Sequence, residues 1–286
     1  MPLRRLAVVL LVAAGCGRTD SVRSTRDSGL SGSAPDSTPA IAVSGEWPPD
    51  LGAALAIPSD TENVAVLLYP ATASARTDQK ARFTLVAASG DTLRVRVAVA
   101  GRDSAHCGDA PMIRLARAAP MLWSLGLSGA TARPMRSDSI DAISHEDSLL
   151  YSTEAPRLAS VVSATATSRL SGLPFALTAL RRVRFGDTTI IAAQLARRVN
   201  QEANPAEERT FVIAERHGSL PFATVHSDRS DGTEETAAHF DLLGALRTPS
   251  AVYLIIATDA PSGSTIEILE RSAGAWRVRW TRTIVC

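Results

Sequence analysis

The residue types best suited to covalent or metal chemistry are few in this chain of 286 residues, which contains three cysteines and five histidines. The sequence contains no H-E-x-x-H zinc motif, no cysteine pair with zinc-finger spacing, no G-x-S-x-G nucleophile elbow and no glycine-rich phosphate-binding loop. His106 precedes Cys107, but neighbouring residues of a strand point to opposite faces, so this adjacency does not predict a catalytic dyad. The sequence therefore predicts no catalytic residue, no metal site and no cofactor.

Two polar groupings in the second half of the chain leave alternatives open. The stretch DRSDGTEE at 228–235 gathers several carboxylates around a glycine, and Ca²⁺ prefers carboxylate oxygens. Its spacing differs from that of an EF-hand loop, so a solvated hairpin turn is the favoured interpretation. His226 and His239 lie in different predicted strands, where they could either meet or remain exposed.

Residues 1–15 have the layout of an export signal. Arg4 and Arg5 form a short basic segment, and an uncharged apolar run follows at 6–14. A permanent membrane-spanning helix needs about 20 apolar residues, so this shorter run is typical of a cleaved signal peptide.

The motif AAGC at 13–16 resembles the lipobox of bacterial lipoprotein precursors, with Ala13 where that family prefers leucine. The resemblance implies that the sulfur of Cys16 receives a diacylglycerol and that a signal peptidase cuts before this residue. Two or three acyl chains would hold the protein stably on a membrane. Gly17, which follows the cysteine, favours the outer membrane in the Gram-negative sorting scheme. The alternative is an ordinary secretory signal in which Cys16 is coincidental.

Composition divides the rest of the chain into three segments. Residues 16–46 are rich in Ser, Thr, Asp, Gly and Pro, which predicts a flexible tether because such a segment buries too little apolar surface to fold. Residues 47–135 are predicted to form a small antiparallel β subdomain. Residues 136–286 are predicted to form a helical segment followed by a β meander.

Apolar residues recur with a period of two over most of the body, which is typical of half-buried strands. A hairpin is predicted from arms at 83–88 and 92–100. Helical character falls around 137–167, where Ser144 and Asp147 have the spacing of a helix cap and Pro156 should kink or split the helix. The sequence thus predicts a mainly β (α+β) protein, with one or two helices and an antiparallel meander that forms a barrel, a sandwich or a propeller-like sheet.

The stretch 242–280 resembles a degenerate strand repeat of the FG-GAP or VCBS type. The part that corresponds to the calcium loop of that family, 243–249, lacks acidic residues, so the resemblance implies strand and hairpin geometry but no calcium site. Trp276, Val278 and Trp280 alternate in the final predicted strand. This spacing predicts that they share one face, which would be either core or the lining of a ligand groove.

The net charge limits the kinds of binding partner to expect, and the cysteine content indicates the cellular compartment. The formal net charge is +1, and removal of the signal leaves the body near neutral, so nothing favours nucleic-acid binding. With Cys16 lipidated, Cys107 and Cys286 remain as a candidate disulfide pair for an oxidising compartment; the alternative is two unrelated thiols. We expect a lipid-anchored protein of the cell envelope that binds or supports another envelope protein or a ligand without catalysis. The alternative is an envelope hydrolase whose site is assembled from distant residues.

One measurement, the intact mass of the detergent-extracted protein, tests both the lipid anchor and the disulfide. We expect a mass that begins at Cys16 and includes acyl chains, with two alkylatable thiols that appear only after reduction. A lipid-free mass with cleavage elsewhere would contradict the anchor, and two thiols that react without reduction would contradict the disulfide.

Overall fold

The computed structural model of the protein describes residues 43–59, 61, 63–70, 81–103, 110–119, 122–164, 168–199 and 205–284. Cys16, Cys107 and Cys286 lie outside the described residues, as do the predicted signal peptide and residues 16–42 of the predicted tether, so their assignments stay predictions. Among the helices within the described ranges, none is both long enough and apolar enough to cross a membrane.

Within the described ranges the chain forms seventeen β-strands and one α-helix. The strands before the helix are β1 Val43–Gly45, β2 Ala54–Pro58, β3 Val64–Leu68, β4 Arg82–Val86, β5 Thr92–Asp103, β6 Ala110–Leu115, β7 Leu125–Ser128, β8 Arg133–Met135 and β9 Ser137–Ser139. The helix, α1, is His145–Ser163. The strands after it are β10 Ala176–Phe185, β11 Thr188–Val199, β12 Ala206–His217, β13 Ala223–Gly232, β14 His239–Arg247, β15 Ala251–Ala260, β16 Gly263–Ser272 and β17 Ala275–Ile284.

The strands of the first half close into a small barrel in the order β2-β3-β6-β5-β4-β7. The predicted hairpin is confirmed as β4 and β5, which pair in antiparallel register. Alternate residues of each strand point inward, as the period of two requires. Their side chains fill the barrel with the apolar cluster Ala56, Ala65, Leu67, Phe83, Leu85, Val95, Val97, Ile113 and Leu115.

The other strands form two antiparallel sheets that pack face to face. The central sheet has the order β1-β17-β16-β15-β14-β8, and the helix-side sheet has the order β13-β12-β11-β10-β9. Between them lies an apolar cluster of Val183, Ile190, Ala192, Phe211, Ile213, Ala238, Phe240, Leu242, Ala245, Leu254, Ile256 and Leu269. The prediction of a mainly β protein is confirmed, and a barrel and a sandwich occur together in one chain.

The barrel covers the other face of the central sheet. Trp47, just before the barrel, meets Trp280 of β17 edge to face, with ring centroids 5.0 Å apart. β1 extends this sheet, and Gly45 has a φ of 80° there. A Cβ on Gly45 would lie 2.4 Å from the carbonyl oxygen of Arg279, so only glycine fits this close approach. Val43–Gly45, at the end of the predicted tether, therefore belongs to the sheet.

Helix α1 covers the outer face of the helix-side sheet. Ser144 caps it, since its hydroxyl accepts a hydrogen bond from the backbone N–H of Asp147 at 3.2 Å, as the spacing predicts. Pro156 lies inside the helix without dividing it, so the predicted split does not occur. Tyr151 and Leu158 lie on the buried side, because the apolar residues of α1 recur at helical spacing and meet the apolar face of the sheet.

The prediction that Trp276, Val278 and Trp280 share one face is wrong. A β-bulge in the pairing of β16 with β17 inserts one extra residue before Trp280. Trp280 therefore faces the barrel, whereas Trp276 packs against the cluster between the two sheets. A shift of one residue reverses which face each side chain occupies.

Shortening a buried side chain between the two sheets should lower the free energy of unfolding far more than shortening an exposed side chain. Leu254→Ala should lower the free energy of unfolding by about 2–5 kcal/mol, since Leu254 is fully buried and leaves a cavity. Leu122→Ala is the matched control: this leucine is 96 % exposed, so the change should stay within about 0.5 kcal/mol. Urea denaturation measures both, and equal losses would contradict the described packing.

Candidate functional site

A cleft of about 650 Å³ opens at the end of the sandwich where several hairpin turns of both sheets lie together. Its lining contains three arginines, three hydroxyl side chains and no acidic residue. The lining residues are Thr131, Arg133, Phe185, Arg247, Thr248, Pro249, Ser250, Ala251, Val252, Arg271 and Ala273. Such a lining attracts anions.

The arginines form a row across the central sheet. Arg133 of β8 lies directly opposite Arg247 of β14, and the same row continues through Val252 of β15 to Arg271 of β16. Cross-strand neighbours share a face, so all of these side chains point toward the cleft side of the sheet. Like charges directly opposite each other destabilise a sheet, and neither Arg133 nor Arg247 forms an ion pair with any carboxylate in the described ranges.

Arg271 differs from the other two because a carboxylate holds it in place. Glu215 of β12 accepts two-pronged hydrogen bonds from Arg271 at 2.8–3.0 Å, which tie the helix-side sheet to the central sheet. Trp276 donates its indole N–H to the same carboxylate. Burial alone would raise the pKa of Glu215, but the hydrogen bonds from Arg271 and Trp276 outweigh it, and the pKa is lowered. Glu215 therefore stays ionised and fixes one wall of the cleft.

A chain of hydroxyl, imidazole and carboxylate lies behind this wall. The Thr188 hydroxyl is 2.9 Å from Nδ1 of His217, and Nε2 of His217 contacts Glu215. These residue types match those of a nucleophile, base and orienting acid. Thr188 is only 4 % exposed, however, so little of this residue is open to a substrate. These contacts link β11, β12 and β16 at this end of the sandwich.

A second polar group lies between the two sheets, away from the row of arginines. His226 and Asp228 come from β13 and Glu267 from β16, and their potential ligand atoms all lie within 4.8 Å of one another. Burial tends to lower the pKa of His226, but Asp228 and Glu267 outweigh it and raise the pKa. Burial, with the nearby charge of Asp228, raises the pKa of Glu267. One nitrogen and two carboxylates of this kind could hold a divalent metal.

Only some of the residues that the sequence analysis named belong to these two sites. Asp228 is not in a hairpin turn, as the interpretation of 228–235 proposed, but within β13, where His226 Nε2 lies 2.8 Å from its carboxylate. His226 meets Glu267 from the opposite sheet, while His239 is exposed on β14. The row of arginines was not predicted, because its members lie on separate strands and carry no local motif.

Comparison with known proteins adds no family. No protein-family model matches the chain, and no curated protein matches it significantly.

Loss of the Glu215 carboxylate should destabilise the protein in a pH-dependent way. Because its pKa is lowered by folding, Glu215 stabilises the native state above about pH 4.5, and this contribution disappears as the pH falls through the lowered pKa. Glu215→Gln should lower the free energy of unfolding at pH 7 by roughly 2–3 kcal/mol, and the difference from wild type should shrink below pH 4.5.

The matched control for this variant is Glu154→Gln, which removes a surface ion pair with Arg157 on α1. It should change stability by less than about 0.5 kcal/mol. Urea denaturation from pH 3.5 to pH 7 measures both variants. A loss for Glu215→Gln that does not depend on pH would mean that its charge is not the stabilising feature.

Proposed function

We propose that this protein is a lipid-anchored, non-catalytic binding protein of the bacterial cell envelope, and that its cleft takes a small ligand carrying phosphate or carboxylate groups. The observation that carries the ligand class is the pair Arg133 and Arg247, which face each other in the cleft without a carboxylate partner among the described residues. The motif AAGC at 13–16 supports the anchor on Cys16 and, with Gly17, attachment to the outer membrane.

An anion would remove the electrostatic cost of the arginine pair. Two guanidinium groups side by side can each donate two parallel hydrogen bonds to one phosphate or carboxylate. The neighbouring hydroxyls of Thr131 and Ser250 supply further polar contacts at the rim. The volume of about 650 Å³ lies in the range of small-molecule sites, and Phe185 offers an apolar surface to the rest of the ligand.

Arg271 contributes more to the shape of the cleft than to its net charge. Its charge is already neutralised by Glu215, so it shapes the wall while Arg133 and Arg247 supply the net charge. A cleft of this kind can hold an anionic ligand through charge and hydrogen bonds alone. A disulfide between Cys107 and Cys286, which suits the oxidising envelope, belongs to the same proposal.

An envelope hydrolase remains the second candidate, and one observation favours it. Thr188, His217 and Glu215 form a hydrogen-bonded chain next to the cleft, and Phe185, which pairs with Thr188 across the β10–β11 hairpin, lines the cleft. If this chain were catalytic, the purified protein should hydrolyse p-nitrophenyl acetate or p-nitrophenyl phosphate, and His217→Ala should abolish that activity.

Calorimetric titration of the full-length protein in detergent tests the binding proposal, with inorganic pyrophosphate and citrate as probes. We expect at least one probe to bind at low salt and to bind at least ten-fold more weakly to the variant that combines Arg133→Gln with Arg247→Gln, because the unpaired cations are gone. Binding should also weaken as salt is added.

The matched control combines Arg82→Gln with Arg96→Gln. These two arginines also face each other across a strand pair, but on the exposed surface of the barrel and not in the cleft lining. The control should bind the probe as wild type does. No binding of either probe to wild type, or equal weakening in both double variants, would overturn the proposal.

A further inference from the structure

We infer that His226, Asp228 and Glu267 form a binding site for one divalent transition-metal ion of the Zn²⁺ class between the two sheets. This inference does not rest on the proposed anion cleft, which is lined by other residues. An imidazole nitrogen with two carboxylate oxygens is a ligand set that Zn²⁺ and its neighbours in the first transition row accept.

The fold brings these ligands together from both sheets. His226 and Asp228 are two residues apart on β13, so they point to the same face. They pair with Ile213 and Phe211 of β12, whose side chains belong to the core between the sheets, and this directs them toward the central sheet. Glu267 pairs with Ile256, another member of that core, and points back at them.

The distances suit a single ion. His226 Nε2 lies 2.8 Å from the Asp228 carboxylate and 3.6 Å from Oε2 of Glu267, and all the ligand atoms fall within 4.8 Å of one another. Donor atoms around a tetrahedral Zn²⁺ lie about 3.3 Å apart, as bond lengths of about 2.0–2.2 Å require. The two printed separations from His226 Nε2 lie on either side of this value.

The electrostatics of the group favour a dication. Oε2 of Glu267 is buried and accepts no hydrogen bond from the described part of the chain. No arginine or lysine within the described ranges forms an ion pair with Asp228 or Glu267, so His226 is their only cationic partner there. A buried carboxylate oxygen without a partner carries an uncompensated desolvation cost. A divalent ion would satisfy this oxygen and balance both negative charges at once.

The three protein ligands leave a coordination position for water or a small ligand. Asp228 is the most exposed of the three, which provides a route of entry from the edge strand β13. Because the ligands come from β13 and β16, the ion would connect the helix-side sheet to the central sheet. Binding to the native state alone raises stability as the metal concentration exceeds the dissociation constant.

The test uses the full-length protein after removal of metals with EDTA and dialysis. Calorimetric titration with Zn²⁺ should give one ion per chain, and thermal unfolding should shift to higher temperature in the presence of Zn²⁺. Glu267→Gln and His226→Gln should each lower the affinity at least ten-fold, since each replaces a strong Zn²⁺ ligand with a neutral amide. His239→Gln, an exposed strand histidine outside the group, is the matched control and should bind as wild type does.

A spectroscopic readout keeps the inference testable if a variant fails to fold. Co²⁺ added to the metal-free wild type should give the intense visible absorption bands of a four- or five-coordinate ion, and one equivalent of Zn²⁺ should abolish them. The absence of these bands, a stoichiometry far below one, or undiminished Zn²⁺ binding by Glu267→Gln would overturn the inference.

Discussion

The central sheet must be covered on both of its faces, and the arrangement of the rest of the protein follows from this requirement. Every residue of β15 from Ala251 to Ala257 is buried, so neither face of that strand can meet water. The barrel packs on one face through Tyr253, Ile255 and their neighbours. The helix-side sheet packs on the other face through Leu254 and Ile256. Burial of this apolar surface is the main favourable contribution to folding, and it stacks the barrel, the two sheets and α1 in layers.

Burial on this scale makes charge inside the layers costly, and several of the charged groups that occur there are paired. Glu208 is fully buried and accepts hydrogen bonds from Arg197, Ser163 and Ser168, which ties α1 to the helix-side sheet. Burial alone would raise the pKa of Glu208, but the hydrogen bonds from Ser168 and Arg197 outweigh it and lower the pKa. Unpaired charges are costly in such surroundings. Oε2 of Glu267 accepts no hydrogen bond from the described residues, so a cation bound there would lower this cost.

The two proposed sites occupy different parts of the same space between the sheets. Arg271 and Glu267 lie on one strand, β16, and both point toward the helix-side sheet, one into the cleft and the other toward His226. Apolar side chains such as Leu269 lie between them on that face. The cleft presents positive charge to an anion, whereas the His226 group presents negative charge to a cation. A single β-sandwich thus carries sites of opposite sign without their charges cancelling.

The sequence by itself determined the local elements. Its alternation of apolar residues identified the β4–β5 hairpin, and the spacing of Ser144 and Asp147 identified the start of α1, because these signals depend on near neighbours alone. The signal peptide and the anchor on Cys16 were likewise predicted from local motifs, which do not depend on the fold. The short strands β1, β8 and β9 escaped prediction, since a strand of three residues has no period to detect.

Only the tertiary structure decided which strands meet and in what register. A bulge of one residue placed Trp276 and Trp280 on opposite faces, although their spacing predicts a shared one. Arg133 meets Arg247, and His226 meets Glu267, because burial of both faces of the central sheet brought distant strands together. Apolar packing, and not the charge of these side chains, determines which strands become neighbours. The polar sites therefore form wherever that packing brings their side chains together.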